Sequence, residues 1–107
     1  MLILPIKKKW FDMILSGEKK EEYREIKSYY TSRFMGNVLL LMDGTPNPWG
    51  GRVIFRNGYS RKSPSFIATV TLDIGEGRIE WGAEEGKNYY ILKICDIEPY
   101  KAESEGK

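Results

Sequence analysis

Phe66, Ala68, Val70, Leu72 and Ile74 alternate with Ile67, Thr69, Thr71 and Asp73. Only an extended strand sends successive side chains to opposite faces, so this period of two specifies a β-strand with one face to bury. Such a strand needs partners, and the rest of the chain offers them. Leu2 to Ile6 reads as a short buried strand ending at Pro5, and Val38 to Met42 as a second buried strand. Arg52 to Arg56 reads as another, and Tyr89 to Ile97 as a final strand apolar on most of both faces. A parallel α/β sheet would need crossover connections of about a dozen residues or more, usually helices, and too few such stretches exist. The expected fold class is α+β, mostly β: a small barrel of five to six strands with one or two short helices near the N-terminus.

Residues 7–16 carry the helical period. Ile6, Trp10 and Ile14, flanked by Met13 and Leu15, form one apolar stripe, and Gly17 suits the C-terminal cap. Residues 18–26 are good helix formers, yet a helix would stack Glu18 on Glu22, Glu21 on Glu25 and Lys20 on Arg24. A strand instead sets Lys20, Glu22 and Arg24 along one face with alternating sign, so a strand is expected. Tyr29 to Met35 reads as a short helix. Residues 43–51, 57–64 and 75–88 are rich in turn formers, and the last of these is acidic.

At 107 residues the chain has the length of one domain, expected over 1–100 with a flexible tail at 101–107. No apolar run approaches about 18 residues, so no membrane span is expected. The N-terminus has no basic region ahead of its apolar stretch, which argues against a signal peptide. The single cysteine, Cys95, excludes an internal disulfide and suits a reducing, cytoplasmic setting; it is expected as a buried small hydrophobe. With no histidine, zinc fingers, Ser-His-Asp triads and Cys-His dyads are excluded, and no metal or cofactor is expected. Charge is uneven: residues 1–62 hold twelve Lys/Arg against six Asp/Glu, while 63–107 hold five against nine. That polarity points to an anionic partner for the N-terminal half, unless folding intermixes the halves.

Three places carry chemistry. Lys7, Lys8 and Lys9 open the first helix at its positive end, where they are either solvated or part of an anion site with free backbone amides. Glu22 and Arg24 share a strand face and can pair, and Lys19 at the helix-to-strand corner can reach them. They form either an exposed ladder worth under about 1 kcal/mol or a group that fixes a guanidinium or a substrate hydroxyl. Arg56-Asn57-Gly58-Tyr59-Ser60-Arg61-Lys62 mixes cations, an aromatic plate and a hydroxyl, suited to phosphate contact and base stacking. Its Asn-Gly step is equally a hairpin signal. Tyr23, Tyr29, Tyr30, Arg33 and Phe34 interleave aromatics with positive charge, mostly for packing, and Trp49 and Trp81 sit beside loop glycines.

Gly17-x-Lys19-x-x-Glu22-x-Arg24, directly after a helix ending Ile14-Leu15-Ser16, resembles the G-x-K-x-x-E-x-R signature of the ASCH domain family. The resemblance in element order covers residues 1–97. It implies a PUA-like β-barrel with a cleft that binds RNA or a modified nucleotide, with Lys19, Glu22 and Arg24 at the motif positions; Lys8 of the first helix and Arg56, Asn57, Tyr59 and Ser60 of the second cluster are expected to join them in binding. Some members of the family are metal-independent ribonucleases or deacylate modified cytidine. Amidohydrolase-type members resemble G-x-K-T-x-T-x-R here, and this chain has Lys20 and Glu22 at those threonines, which removes an acyl-threonine route. In the catalytic alternative, Lys19 stabilises negative charge, Glu22 takes a proton, and Tyr59 or Ser60 orients the substrate. A third alternative is a protein-interaction domain using the acidic 76–85 segment. The geometric expectation is that Lys19, Glu22 and Arg24 converge with part of the Arg56–Ser60 loop on one cleft.

Overall fold

In the computed structural model, which describes residues 1–100, the elements run β1 (Leu2–Ile6), α1 (Lys8–Leu15), β2 (Glu21–Glu25), α2 (Ser28–Gly36), β3 (Gly51–Asn57), β4 (Ser65–Glu76) and β5 (Asn88–Pro99), with a 3-10 turn at Ile79–Trp81 between the last two. The expected tail at 101–107 lies outside the described residues. The five strands form one sheet in the order β1-β3-β4-β5-β2. β1 runs parallel to β3, and the other pairs are antiparallel. The result is a small α+β fold, mostly strand, whose sheet curls into a half-barrel. β1 and β2, at the two ends of the strand order, border its open seam. Among the described residues no helix is long and apolar enough to cross a membrane.

The alternation in β4 sets the inside of the curl. Phe66, Ala68, Val70 and Leu72 are buried, facing Leu4 and Ile6 of β1, Val53 and Phe55 of β3, and Tyr90 and Leu92 of β5 in one core. Phe11 and Ile14 of α1 and Phe34 of α2 close it. On the outer face Tyr89, Ile91 and Ala83 form a second, smaller cluster against Tyr23. The strand expectations for 2–6, 18–26, 52–56, 66–74 and 89–97 and the helix expectations agree with the elements found. Gly17 ends α1 with φ 86°, as its cap role required.

Three expectations are corrected. Val38–Met42 is not a strand: only an isolated bridge joins Leu40 to Pro46. The end of α2 claims the amides a strand would have used, with Leu39 and Leu40 both donating to the Phe34 carbonyl after Val38 turns to φ 58°. Leu39 and Leu40 enter the core, while Met42 is left 93% exposed. In α1 the buried residues are Phe11 and Ile14, beside Ile6 at the end of β1; Trp10 is half-buried and Leu15 is exposed. Cys95 is exposed, because Ile94 pairs with Val70 and Asp96 with Thr69, which leaves Cys95 as the extra residue of a β-bulge.

Candidate functional site

β2 places Glu22 opposite Leu92 and Arg24 opposite Tyr90, so both side chains share the concave face with core residues. Charge on that face can persist only if it is paired and hydrogen-bonded. Arg24 achieves this by reaching across the seam. Its Nη2 donates to the Pro5 carbonyl of β1 at 2.9 Å and to Glu22 Oε2 at 2.9 Å, and its Nη1 donates to the Tyr30 hydroxyl at 3.3 Å. One guanidinium therefore ties together the two strands that border the opening. Its Nε is buried with no partner among the described residues.

Lys19 stands behind this pair. Release of α1 at Gly17 lets the Lys19 amide bond back to Met13 O, and the side chain then runs inward until it is 1% exposed. Its ammonium lies 5.1 Å from the Trp10 ring and 4.8 Å from that of Tyr23. It donates to Glu21 O at 2.5 Å and Trp81 O at 2.8 Å, and pairs with Glu22 Oε1 at 3.2 Å. An ammonium has three donors, and all three are committed. Burial pulls the Lys19 pKa below its ordinary value, against the opposing pull of Glu22. The acidic 76–85 segment supplies part of this enclosure through Trp81 O. It also packs on Tyr23, where a Cβ at Gly77 would meet the ring at 2.6 Å. Burial raises the Tyr23 pKa well above the ordinary phenol value; the hydroxyl donates to Glu21 Oε1 at 2.7 Å and accepts the Arg78 amide at 2.9 Å.

Above Glu22 and Arg24 the seam opens into a cleft of about 540 Å³. Asn57 at the end of β3 and Gly58 and Tyr59 just beyond it line the cleft, with the aromatic rings of Trp10, Tyr23, Tyr30 and Tyr89 and the charged Lys7, Glu25 and Lys27. Of the expected site residues, Glu22, Arg24, Asn57 and Tyr59 meet here. Lys19 touches Glu22 from behind and is outside the lining. Arg56 points away, because it alternates with the core residue Phe55; it is buried, with Nε on Ser65 Oγ at 3.1 Å. Ser60 is exposed beyond the lining, and Lys8 pairs with Asp12 at 2.6 Å on the outer side of α1. Trp10, Lys27, Tyr89 and the Pro5 carbonyl were not singled out for the site in the sequence. Trp10 had a signal, since it stands among Lys7, Lys8, Lys9 and Lys19, and Lys9 also lies 4.6 Å from its ring.

A larger cavity of about 740 Å³ lies between α1 and the ends of β4 and β5, walled by Phe11, Leu15, Phe66, Ile97 and Pro99 with Arg61 and Lys62 at its side. Of the residues that the sequence singled out for chemistry, only Arg61 and Lys62, at the end of the second basic cluster, line it. Among the described residues no group of three or more His, Cys, Asp or Glu is placed to hold a metal ion. In comparisons with known proteins, no family model, no curated protein and no solved structure matches this chain.

Proposed function

We propose that the seam cleft binds RNA or a nucleotide, and that the chain is an ASCH-like domain with a PUA-like barrel. The observation that carries this reading is the meeting, on one 540 Å³ opening, of the motif pair Glu22 and Arg24 with the Asn57–Tyr59 loop and an aromatic wall. Bases stack on exposed aromatic rings whatever their sequence, and Tyr59, 89% exposed, offers such a plate. Among the described residues Lys7 supplies a free cation at the rim for a phosphate chain, while Lys27 lines it paired with Glu25 at 3.3 Å. Glu22 and Arg24 are held by Lys19, Pro5 O and Tyr30, so their positions are set before a ligand arrives, which lowers the ordering cost of binding. Lys19 acts here as a positioning residue.

The test is titration of a 12-mer RNA at several salt concentrations. Log affinity is expected to fall linearly with log salt, by about 0.7 per phosphate neutralised on a single strand. No binding at low salt, or binding insensitive to salt, rejects the reading. The catalytic alternative rests on Glu22, because every donor of Lys19 is already in use. It requires product beyond one equivalent in EDTA, lost in Glu22→Gln.

A further inference from the structure

A small second compartment adjoins the cleft. It measures about 160 Å³, and Arg24, Tyr29, Tyr30, Arg33 and Tyr59 line it against the edge of β1. Pro5, Arg24, Tyr30 and Tyr59 line both spaces, so the two share a wall. At well under the roughly 300 Å³ of a ligand-sized pocket, the compartment suits a single chemical group rather than a whole molecule.

Its walls specify which group. The Arg33 guanidinium lies over Tyr29, its Cζ 3.6 Å from the ring centroid, with Nη1 donating to Tyr29 O at 3.2 Å. Among the described residues Arg33 has no carboxylate partner, so most of its donor fork is uncommitted. Arg24 lines the common wall; among the described residues its one carboxylate partner, Glu22, is shared with Lys19. Among the described residues no Asp or Glu lines the compartment. Two arginines border this small space, and the guanidinium of Arg33, resting on a ring with most of its donors free, is the kind of group that phosphate oxygens accept from in pairs.

We infer that this compartment is a phosphate subsite. It takes the phosphate ester joined to the nucleoside whose base occupies the larger cleft, and Arg33 is its principal cation. The inference rests on the nucleotide reading of the cleft and adds a selectivity: phosphorylated ligands over free nucleosides. A terminal monoester and an internucleotide diester offer the same oxygens.

Calorimetry on the full chain tests it with a panel of the four common nucleosides, their 3′- and 5′-monophosphates, dinucleoside monophosphates, inorganic phosphate and a 12-mer RNA. At least one phosphorylated form is expected to bind about tenfold or more tighter than its nucleoside. A gain already present in a monophosphate identifies the monoester as sufficient, and a gain confined to the dinucleotides identifies the diester. Arg33→Ala should shrink that ratio to under about threefold, and Arg33→Lys should keep part of it, as charge without the fork does. Equal binding of nucleosides and their phosphates overturns the inference, as does an undiminished ratio in Arg33→Ala. If the 12-mer binds but no small phosphate ester gains over its nucleoside, the cleft stands and the subsite falls. If nothing binds, the reading of the cleft falls with it.

Discussion

The cavity beside α1 and the cleft at the seam are walled by opposite kinds of interaction. Around the first, Phe11 and Phe66 sit 4.9 Å apart and belong to the main core, so the walls are an outward continuation of packed apolar surface. Around the second, Lys19, Glu22, Arg24, Pro5 O and Trp81 O hold one another. Apolar walls contribute roughly in proportion to area and have no required orientation, whereas each member of a buried polar group depends on the rest. The larger volume therefore follows from where the sheet and α1 diverge, and the smaller one holds the oriented polar groups. Size alone does not locate chemistry.

The most severe way to break this comparison is to remove one member from each side. Phe66→Ala should cost about 3–5 kcal/mol of unfolding free energy through the void it leaves. Lys19→Ala should cost a similar about 3–5 kcal/mol for a different reason, since it takes the partner from Glu22 Oε1 and from two part-buried carbonyls. Denaturant titration gives both numbers, and RNA affinity of the folded fraction separates them. Phe66→Ala should stay within about threefold of the native chain, because distant sites act independently. Lys19→Ala should lose about tenfold or more as Glu22 and Arg24 lose their fixed positions. Equal losses of affinity would erase the distinction between the two regions.

A smaller effect isolates the rim. Tyr59 is 89% exposed, so Tyr59→Ala should move stability by no more than about 0.5 kcal/mol. Its affinity for a 12-mer should nevertheless fall by about 1–3 kcal/mol, the worth of one base stack. A stability change without an affinity change would make Tyr59 a packing residue.

How much of this was legible in the sequence divides along the same line. The alternation of Phe66–Leu72 showed β4, and the like-charge stacking that a helix would impose on 18–26 showed β2. Both are local patterns that the fold keeps. Val38–Met42 misled because apolarity alone does not say whether backbone amides pair with a strand or close the end of a helix. Glu22 and Arg24 were visible as a pair two residues apart on a strand. The inward course of Lys19 was not, because it depends on Trp81 O, contributed from 62 positions away. Pro5 and Tyr89 could not be joined to the motif either, since the closeness of β1 and β5 to β2 is a property of the curled sheet. Arg56 shows the converse: its sequence cluster was visible, and strand parity sent it to the other face.

Titration sharpens the comparison further, through Tyr23 in the wall of the seam cleft. Burial raises the Tyr23 pKa, so above pH 10 the native state holds a proton that the unfolded chain has released. Stability contributed by that phenol is complete below about pH 10 and declines as pH rises. The slope is at most about 1.4 kcal/mol per pH unit, reduced by solvent screening at the half-buried ring. Lys19 works in the other direction: its lowered pKa makes stability rise with pH between its folded value and that of the unfolded lysine. Comparing Tyr23→Phe with the native chain removes the phenol alone. The variant should lose less stability between pH 10 and 11, measured by denaturant midpoints, and Phe66→Leu should leave that slope as it is.

The finest discrimination uses salt. Lys7 lines the cleft and Lys62 lines the apolar cavity; both are exposed, and neither has an ion pair among the described residues. Lys7→Gln and Lys62→Gln therefore change net charge equally and perturb folding equally little. If affinity for a 12-mer RNA came from overall positive charge, the two would weaken it alike. If it comes from phosphates seated at the seam, only Lys7→Gln removes a neutralised phosphate. The log–log salt slope should then become shallower by about 0.7 in Lys7→Gln and stay unchanged in Lys62→Gln. Measured from about 50 to 200 mM salt, where exposed charges more than about 10 Å away are largely screened, the difference reports contact rather than long-range attraction. Matching slopes in the two variants would mean that the strand does not lie along the seam.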